Sequence, residues 1–128
     1  MLFQNYGLIF HLSNREVIIM LVKNLNSNEL AQWLKRETPP LLIDVRTLQE
    51  MKQAAIPNGK PLPLNLLPSR IEEVPKDEEV VFYCRTGARS AQACMYLGQQ
   101  GYDKIYNLYG GIVNWARSGL PLEPMVFN

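Results

Sequence analysis

The chain has 128 residues, with 13 Lys plus Arg against 12 Asp plus Glu and a formal net charge of +1. That length suits one domain with a modest core, and the charge balance gives no general reason to expect nucleic acid or an anionic membrane surface as a partner. Two cysteines are too few for a disulfide framework, so the cytoplasm is the expected compartment, and without a Cys-x-x-C or a Cys/His cluster no metal and no cofactor are expected.

Residues 1–22 stand apart from a domain expected over 23–128. The apolar runs Leu8-Ile9-Phe10 and Val17-Ile18-Ile19-Met20-Leu21-Val22 flank Ser13-Asn14. His11, Ser13, Asn14, Arg15 and Glu16 interrupt them, so nothing reaches the roughly 20 apolar residues that span a bilayer. A signal-peptide pattern is not expected either. Two readings stay open. The runs form a β-hairpin, whose exposed edge could pair with a second subunit as a homodimer. Alternatively the segment is incidental and the working chain starts near Met20.

Downstream, Ser27 is read as the N-cap of a helix that carries Leu30, Ala31 and Leu34 on one face, with Trp33 over the same core. Thr38-Pro39-Pro40 ends it. Leu41-Leu42-Ile43-Asp44-Val45 reads as a short buried strand of the parallel kind. Thr47 caps a short helix toward Ala54, and Pro57-Asn58-Gly59 makes a turn. Leu62 to Asn65 reads as a short strand weakened by Pro63. Leu66 to Val74 reads as helix with Pro68 in its first turn.

Val80-Val81-Phe82-Tyr83 is a buried strand, and the helix after it runs to Gln100 with Gly101 at C′. Lys104 to Leu108 is a further strand. Gly110-Gly111 turns into a last helix over Ile112 to Ser118, with Tyr109, Ile112 and Trp115 packing it. Strands alternate with helices throughout, which predicts one α/β domain with a mostly parallel sheet flanked by helices on both faces.

Between the third main strand and its helix lies Cys84-Arg85-Thr86-Gly87-Ala88-Arg89-Ser90. A helix start offers unpaired N–H groups and the positive end of the dipole, and successive loop amides form an anion-binding nest. A thiol placed there is an activated nucleophile. Arg85 is the candidate to meet an incoming anion. Arg89 either does the same or is held by a carboxylate as loop support. Thr86 and Ser90 offer hydroxyls, Gly87 offers backbone freedom, and the amide of Ala88 completes the cradle. Asp44 and Arg46 sit at the carboxyl end of a neighbouring strand, where ligands gather on such sheets. Asp44 is expected to organise the loop end. Arg46 is expected to pair with Glu50 or, alternatively, to attract anions at the pocket mouth. Cys94 reads as a small core residue rather than a resolving thiol.

Taken together, Leu42-Ile43-Asp44-Val45-Arg46 with Glu50, Ile56-Pro57, the loop Cys84–Ser90, and Tyr109-Gly110-Gly111-Ile112 with Trp115 and Gly119-Leu120-Pro121 resemble a single-domain rhodanese, a sulfurtransferase family, over about Leu25 to Leu122. The resemblance implies a rhodanese-like fold with a central sheet of about five strands. It also implies that Cys84 attacks a small anionic sulfur donor such as thiosulfate and carries the sulfur as a persulfide. A thiol or cyanide acceptor, or a protein partner, then removes it. The chain departs from the family at Ala55-Ile56-Pro57-Asn58, where a His-Ile-Pro-Gly turn is frequent. The spacing Cys-x4-Arg is one residue shorter than the Cys-x5-Arg of related cysteine phosphatases. Phosphatase or arsenate reductase therefore ranks below sulfur transfer, and a sulfur-relay or redox-binding module acting on a protein partner is the main alternative.

Overall fold

The computed structural model describes residues 13–127. Five parallel strands form one sheet in the order β1-β5-β4-β2-β3. The strands are β1 (Asn24–Leu25), β2 (Leu41–Asp44), β3 (Lys60–Pro61), β4 (Val80–Tyr83) and β5 (Ile105–Leu108). The helices are α1 (Asn14–Leu21), α2 (Ser27–Trp33), α3 (Leu48–Gln53), α4 (Ala88–Gln99) and α5 (Gly111–Arg117). β4 lies at the centre, which explains its unbroken apolar run, since both of its faces are covered. Val80, Phe82 and Cys84 point to the face packed by Ala93, Cys94 and Leu97 of α4. Val81 and Tyr83 point to the opposite face, which is packed by Leu30 of α2 and by Ile112 and Trp115 of α5. All strands run the same way, so Asp44, Cys84 and Leu108 emerge at one edge of the sheet. No helix among the described residues is long and apolar enough to cross a membrane.

The second arm of the expected hairpin is helical. α1 runs from Asn14 to Leu21, with Ser13 as N-cap and Glu16 closing a capping box. The Ser-Asn pair that resembled a turn is a helix start, and α1 packs against α4. The other arm, Leu8 to Phe10, and His11 lie outside the described residues.

Other elements also differ from the sequence expectation, and Asn24–Leu25, expected to lead into the helix, is strand β1, paired with β5. Asn26, not Ser27, caps α2: its Oδ1 accepts the Glu29 N–H at 2.8 Å while Glu29 accepts the Asn26 N–H at 2.9 Å. The short strand falls at Lys60–Pro61, ahead of Leu62 to Asn65. Leu64–Leu66 is a 3₁₀ turn that begins where the Leu64 N–H makes its bond to the Val45 carbonyl at 3.0 Å. Pro68–Glu73 is 3₁₀ rather than α, broken at Arg70. α4 ends in a Schellman motif, with Gly101 at φ +91° and the Tyr102 N–H on the Leu97 carbonyl at 3.0 Å.

Candidate active site

The loop between β4 and α4 is shaped by two glycines of different kinds. Gly87 is the N-cap of α4 at φ +102°, a conformation that suits glycine, and it offers no side-chain cap. The first-turn amides of α4 therefore have no side-chain cap. Gly111 is a point of close approach. A Cβ on it would lie 2.4 Å from the Arg85 carbonyl oxygen and 2.6 Å from that of Cys84. That proximity lets the first turn of α5 take both carbonyls: Ile112 N–H donates to Cys84 O at 2.9 Å and Val113 N–H to Arg85 O at 3.1 Å. With its carbonyls drawn outward, the loop presents amides inward. This is the physical basis of an anion nest.

Cys84 lies at the base of this ring, 1% exposed. Its Sγ receives the Gly87 N–H at 3.1 Å. Ser90 Oγ is 3.4 Å from the same sulfur and 2.5 Å from Asn107 Oδ1. Both Ser90 and Asn107 are fully buried. Arg85 and Thr86 are exposed on the outer rim, and Ala88 is buried in the first turn of α4.

Of the two roles open to Arg89, the geometry assigns loop support. Its guanidinium makes a two-pronged contact with Glu50 of α3, at 2.6 and 2.8 Å. Glu50 also accepts the Thr47 N–H and hydroxyl in a capping box. Hydrogen bonds from Arg89, reinforced by those from Thr47, hold the Glu50 carboxyl down at about 2.

The expected Arg46–Glu50 pair does not form. Arg46 turns back onto Asp44 instead, with Nε on Oδ1 at 3.0 Å and Nη2 on Oδ2 at 2.8 Å. The reason is charge: Asp44 is completely buried and needs a counter-ion, whereas Glu50 is taken by Arg89 and Thr47. Arg46, 5% exposed, is thus withdrawn from any pocket mouth. Asp44 also accepts the Arg46 backbone N–H at 3.0 Å. Arg46 Nη2 holds the Ala54 carbonyl at 2.7 Å, and Tyr83 Oη accepts the Ile56 N–H at 3.0 Å. Burial, and the Asp44 carboxylate nearby, push the Tyr83 hydroxyl well above its ordinary value. This network braces the segment from Ala54 to Ile56.

Cys94 faces the core, and burial pushes its thiol far up, so it stays protonated. Trp115 packs the last helix and donates Nε1–H to the Pro121 carbonyl at 2.7 Å. Tyr109, expected to pack there too, is instead 54% exposed. With Thr86, Asn114 and the α1 residues Ile19 and Met20, it borders an open depression of about 430 Å³ beside the loop. Glu50, expected on Arg46, serves Arg89 instead. Asn107 joins the site without any expectation from the sequence, although a polar residue inside the apolar run Ile105-Tyr106-Asn107-Leu108 marks it.

Residues 26–118 match the model of the rhodanese-like domain family. A sulfurtransferase of Allochromatium vinosum is 51% identical over 102 residues, covering 80% of this chain and 95% of that protein. The putative sulfurtransferase YtwF of Bacillus subtilis is 34% identical over 102 residues, 80% of this chain and 98% of that one. The crystal structure of a rhodanese-like domain protein from Staphylococcus aureus is similar at a TM-score of 0.73 and 33% identity, over 81% and 99% of the two chains.

Proposed function

The chain belongs to the rhodanese-like domain family and is a sulfurtransferase of that type, and from that premise we propose that it moves sulfane sulfur from a small anionic donor such as thiosulfate to a thiol or cyanide acceptor through a persulfide on Cys84. The observation that carries this reading is the Gly87 N–H donated to the Cys84 sulfur at 3.1 Å, in a loop whose Cys84 and Arg85 carbonyls are taken by the first turn of α5.

The Cys84 thiolate attacks the outer sulfur of thiosulfate. An S–S bond to Cys84 forms as the donor's S–S bond breaks, and sulfite leaves with the bonding pair. The product is a persulfide anion whose terminal sulfur lies among the amides of residues 85–90. Cyanide or a thiolate then takes that outer sulfur, and the pair from the broken bond restores the Cys84 thiolate. Direct attack on divalent sulfur needs no general base, and neither step moves a proton on a histidine. Exposed Arg85 is the charge that draws the donor in, while Arg89 is committed to Glu50.

The test is thiosulfate:cyanide sulfurtransferase activity, with intact mass after thiosulfate alone, for wild type, Cys84→Ser and Cys94→Ser. One added sulfur atom and thiocyanate formation, lost only in Cys84→Ser, is the expected result. No added sulfur in the wild type removes thiosulfate as the donor.

A second reading, delivery to or from a protein thiol, draws on one observation. Met20 and Tyr109 are exposed apolar side chains beside the loop, at 63% and 54%. It predicts that Tyr109→Ala slows exchange with a persulfidated protein and leaves cyanide turnover unchanged.

A further inference from the structure

A chain of side-chain contacts runs from Cys84 through the sheet to its edge. Ser90 Oγ lies 3.4 Å from Cys84 Sγ and 2.5 Å from Asn107 Oδ1. Asn107 Nδ2 donates to Asn24 Oδ1 at 2.9 Å. Asn24 Nδ2 donates to the carbonyls of Ile19 at 2.8 Å and Val22 at 3.1 Å, at the end of α1. Asn24 and Asn107 are register partners on β1 and β5, which puts their side chains on one face of the sheet.

The direction of this chain is fixed from its outer end. Backbone carbonyls only accept, so Asn24 must turn its NH₂ to Ile19 and Val22 and its oxygen to Asn107. Asn107 must then turn its NH₂ outward and its oxygen to Ser90. The single Ser90 proton lies within reach of both Cys84 Sγ and Asn107 Oδ1, and the amide oxygen, a stronger acceptor than a neutral thiol, takes it. What Ser90 presents to Cys84 is therefore a lone pair, which accepts from a thiol and repels a thiolate. For Ser90 to donate to the thiolate, the buried Asn107 oxygen must give up its donor. A persulfide places its charge on the outer sulfur, among the loop amides, and leaves the Ser90–Asn107 bond intact.

We infer that Asn107, held in orientation by Asn24, is a positioning residue that sets the polarity of the Ser90 hydroxyl and so disfavours the bare Cys84 thiolate relative to the thiol and the loaded persulfide. The persulfide part rests on the function proposed above; the thiol part does not. In this way the end of α1 and the edge strand are coupled to the reactivity of a sulfur they do not touch.

The charged and titratable groups around Cys84 are Arg85 and Arg89 on the loop, Glu50 of α3 on Arg89, Asp44 at the end of β2 with Arg46 just after it, and Cys94 on α4. From the depression beside the loop, Glu16 of α1 and Tyr109 also face this edge. Replacing Asn24 changes none of these charges, so a shift in Cys84 ionisation reads the hydrogen-bond polarity. Asn24 is exposed, and Asn24→Ala leaves the Asn107 amide free to turn its NH₂ to Ser90, which then donates to the thiolate.

The experiment is the pH dependence of Cys84 alkylation by iodoacetamide, located by peptide mass spectrometry, in wild type, Asn24→Ala, Asn107→Leu, Ser90→Ala and Asn24→Ala/Ser90→Ala. The half-maximal pH in Asn24→Ala is expected to fall by roughly half to one unit, the worth of one neutral hydrogen bond. Asn107→Leu, if it folds, shifts the same way. In the Ser90→Ala background, Asn24→Ala has no effect. An unchanged half-maximal pH in Asn24→Ala overturns the inference. So does an equal shift with and without the Ser90 hydroxyl. A protein that shows these shifts but takes no sulfur from thiosulfate or from glutathione persulfide would retain the relay and lose the sulfur-transfer reading.

Discussion

Arg89 and Glu50 meet through two parallel hydrogen bonds of 2.6 and 2.8 Å, and so tie the first turn of α4 to the first turn of α3. The pair fixes the far side of the Cys84 loop against the end of β2. It also leaves Arg85 as the exposed arginine of the loop.

Arg89 holds Glu50 at about 2, below its ordinary 4.5, so the pair contributes stability above the unfolded value that is lost as the pH falls through that window. Both side chains are about a third exposed. Glu50→Gln should therefore cost only about 1–2 kcal/mol at pH 7 once solvent screening is allowed for. Urea denaturation should show the gap between wild type and Glu50→Gln closing between pH 4.5 and pH 2. A gap that stays constant over that range would show that the pair does not carry this stability.

Gly98 and Gly111 should respond oppositely to alanine. Gly98 is the penultimate residue of α4, in its last turn, with open space around its Cβ position, so Gly98→Ala should add up to about 0.5 kcal/mol of stability. Gly111 sits at φ +59°, with backbone 2.4 Å from its Cβ position. Gly111→Ala must push Arg85 and Cys84 away from α5 and return their carbonyls toward the ring. Thermal melts and sulfurtransferase assays side by side should show a destabilised protein whose activity falls well beyond the loss of folded material.

The Asp44–Arg46 pair should behave as a buried ion pair. Arg46→Ala leaves a fully buried carboxylate without its counter-ion, at a cost of about 3–5 kcal/mol. The double variant Asp44→Asn/Arg46→Ala removes the charge itself and should recover part of that loss. Equal melting temperatures for the single and double variants would argue against this account.

The two cysteines should differ in reactivity. Burial holds the Cys94 thiol far above its ordinary range, whereas the Cys84 sulfur receives the Gly87 N–H. At pH 8 the native protein should take one iodoacetamide adduct, on Cys84, and a second only in denaturant. Adduct formation on native Cys94 at a comparable rate would contradict its place in the core.

The sequence alone determined the succession β2, α3, β4, α4, β5 and α5, the burial of β4 and the place of Cys84 just ahead of a helix start. These rest on local rules: an unbroken apolar run needs cover on both faces, and a cysteine before a glycine and a helix start lies among unpaired amides. Local rules failed where capping and turn chemistry competed. Ser13-Asn14 suits a hairpin turn and a helix cap equally, and the decision fell to packing of α1 on α4, a contact between distant parts of the chain. Only the tertiary structure decided the partners of the charged and polar side chains. Arg46 is four residues from Glu50, yet the buried Asp44 carboxylate claims it, and Glu50 goes to Arg89 from another helix. Asn107 meets Asn24 and Ser90 only because parallel pairing brings three separate stretches of chain to one face. Spacing along a chain says which groups can meet, while burial sets the desolvation cost that chooses among them.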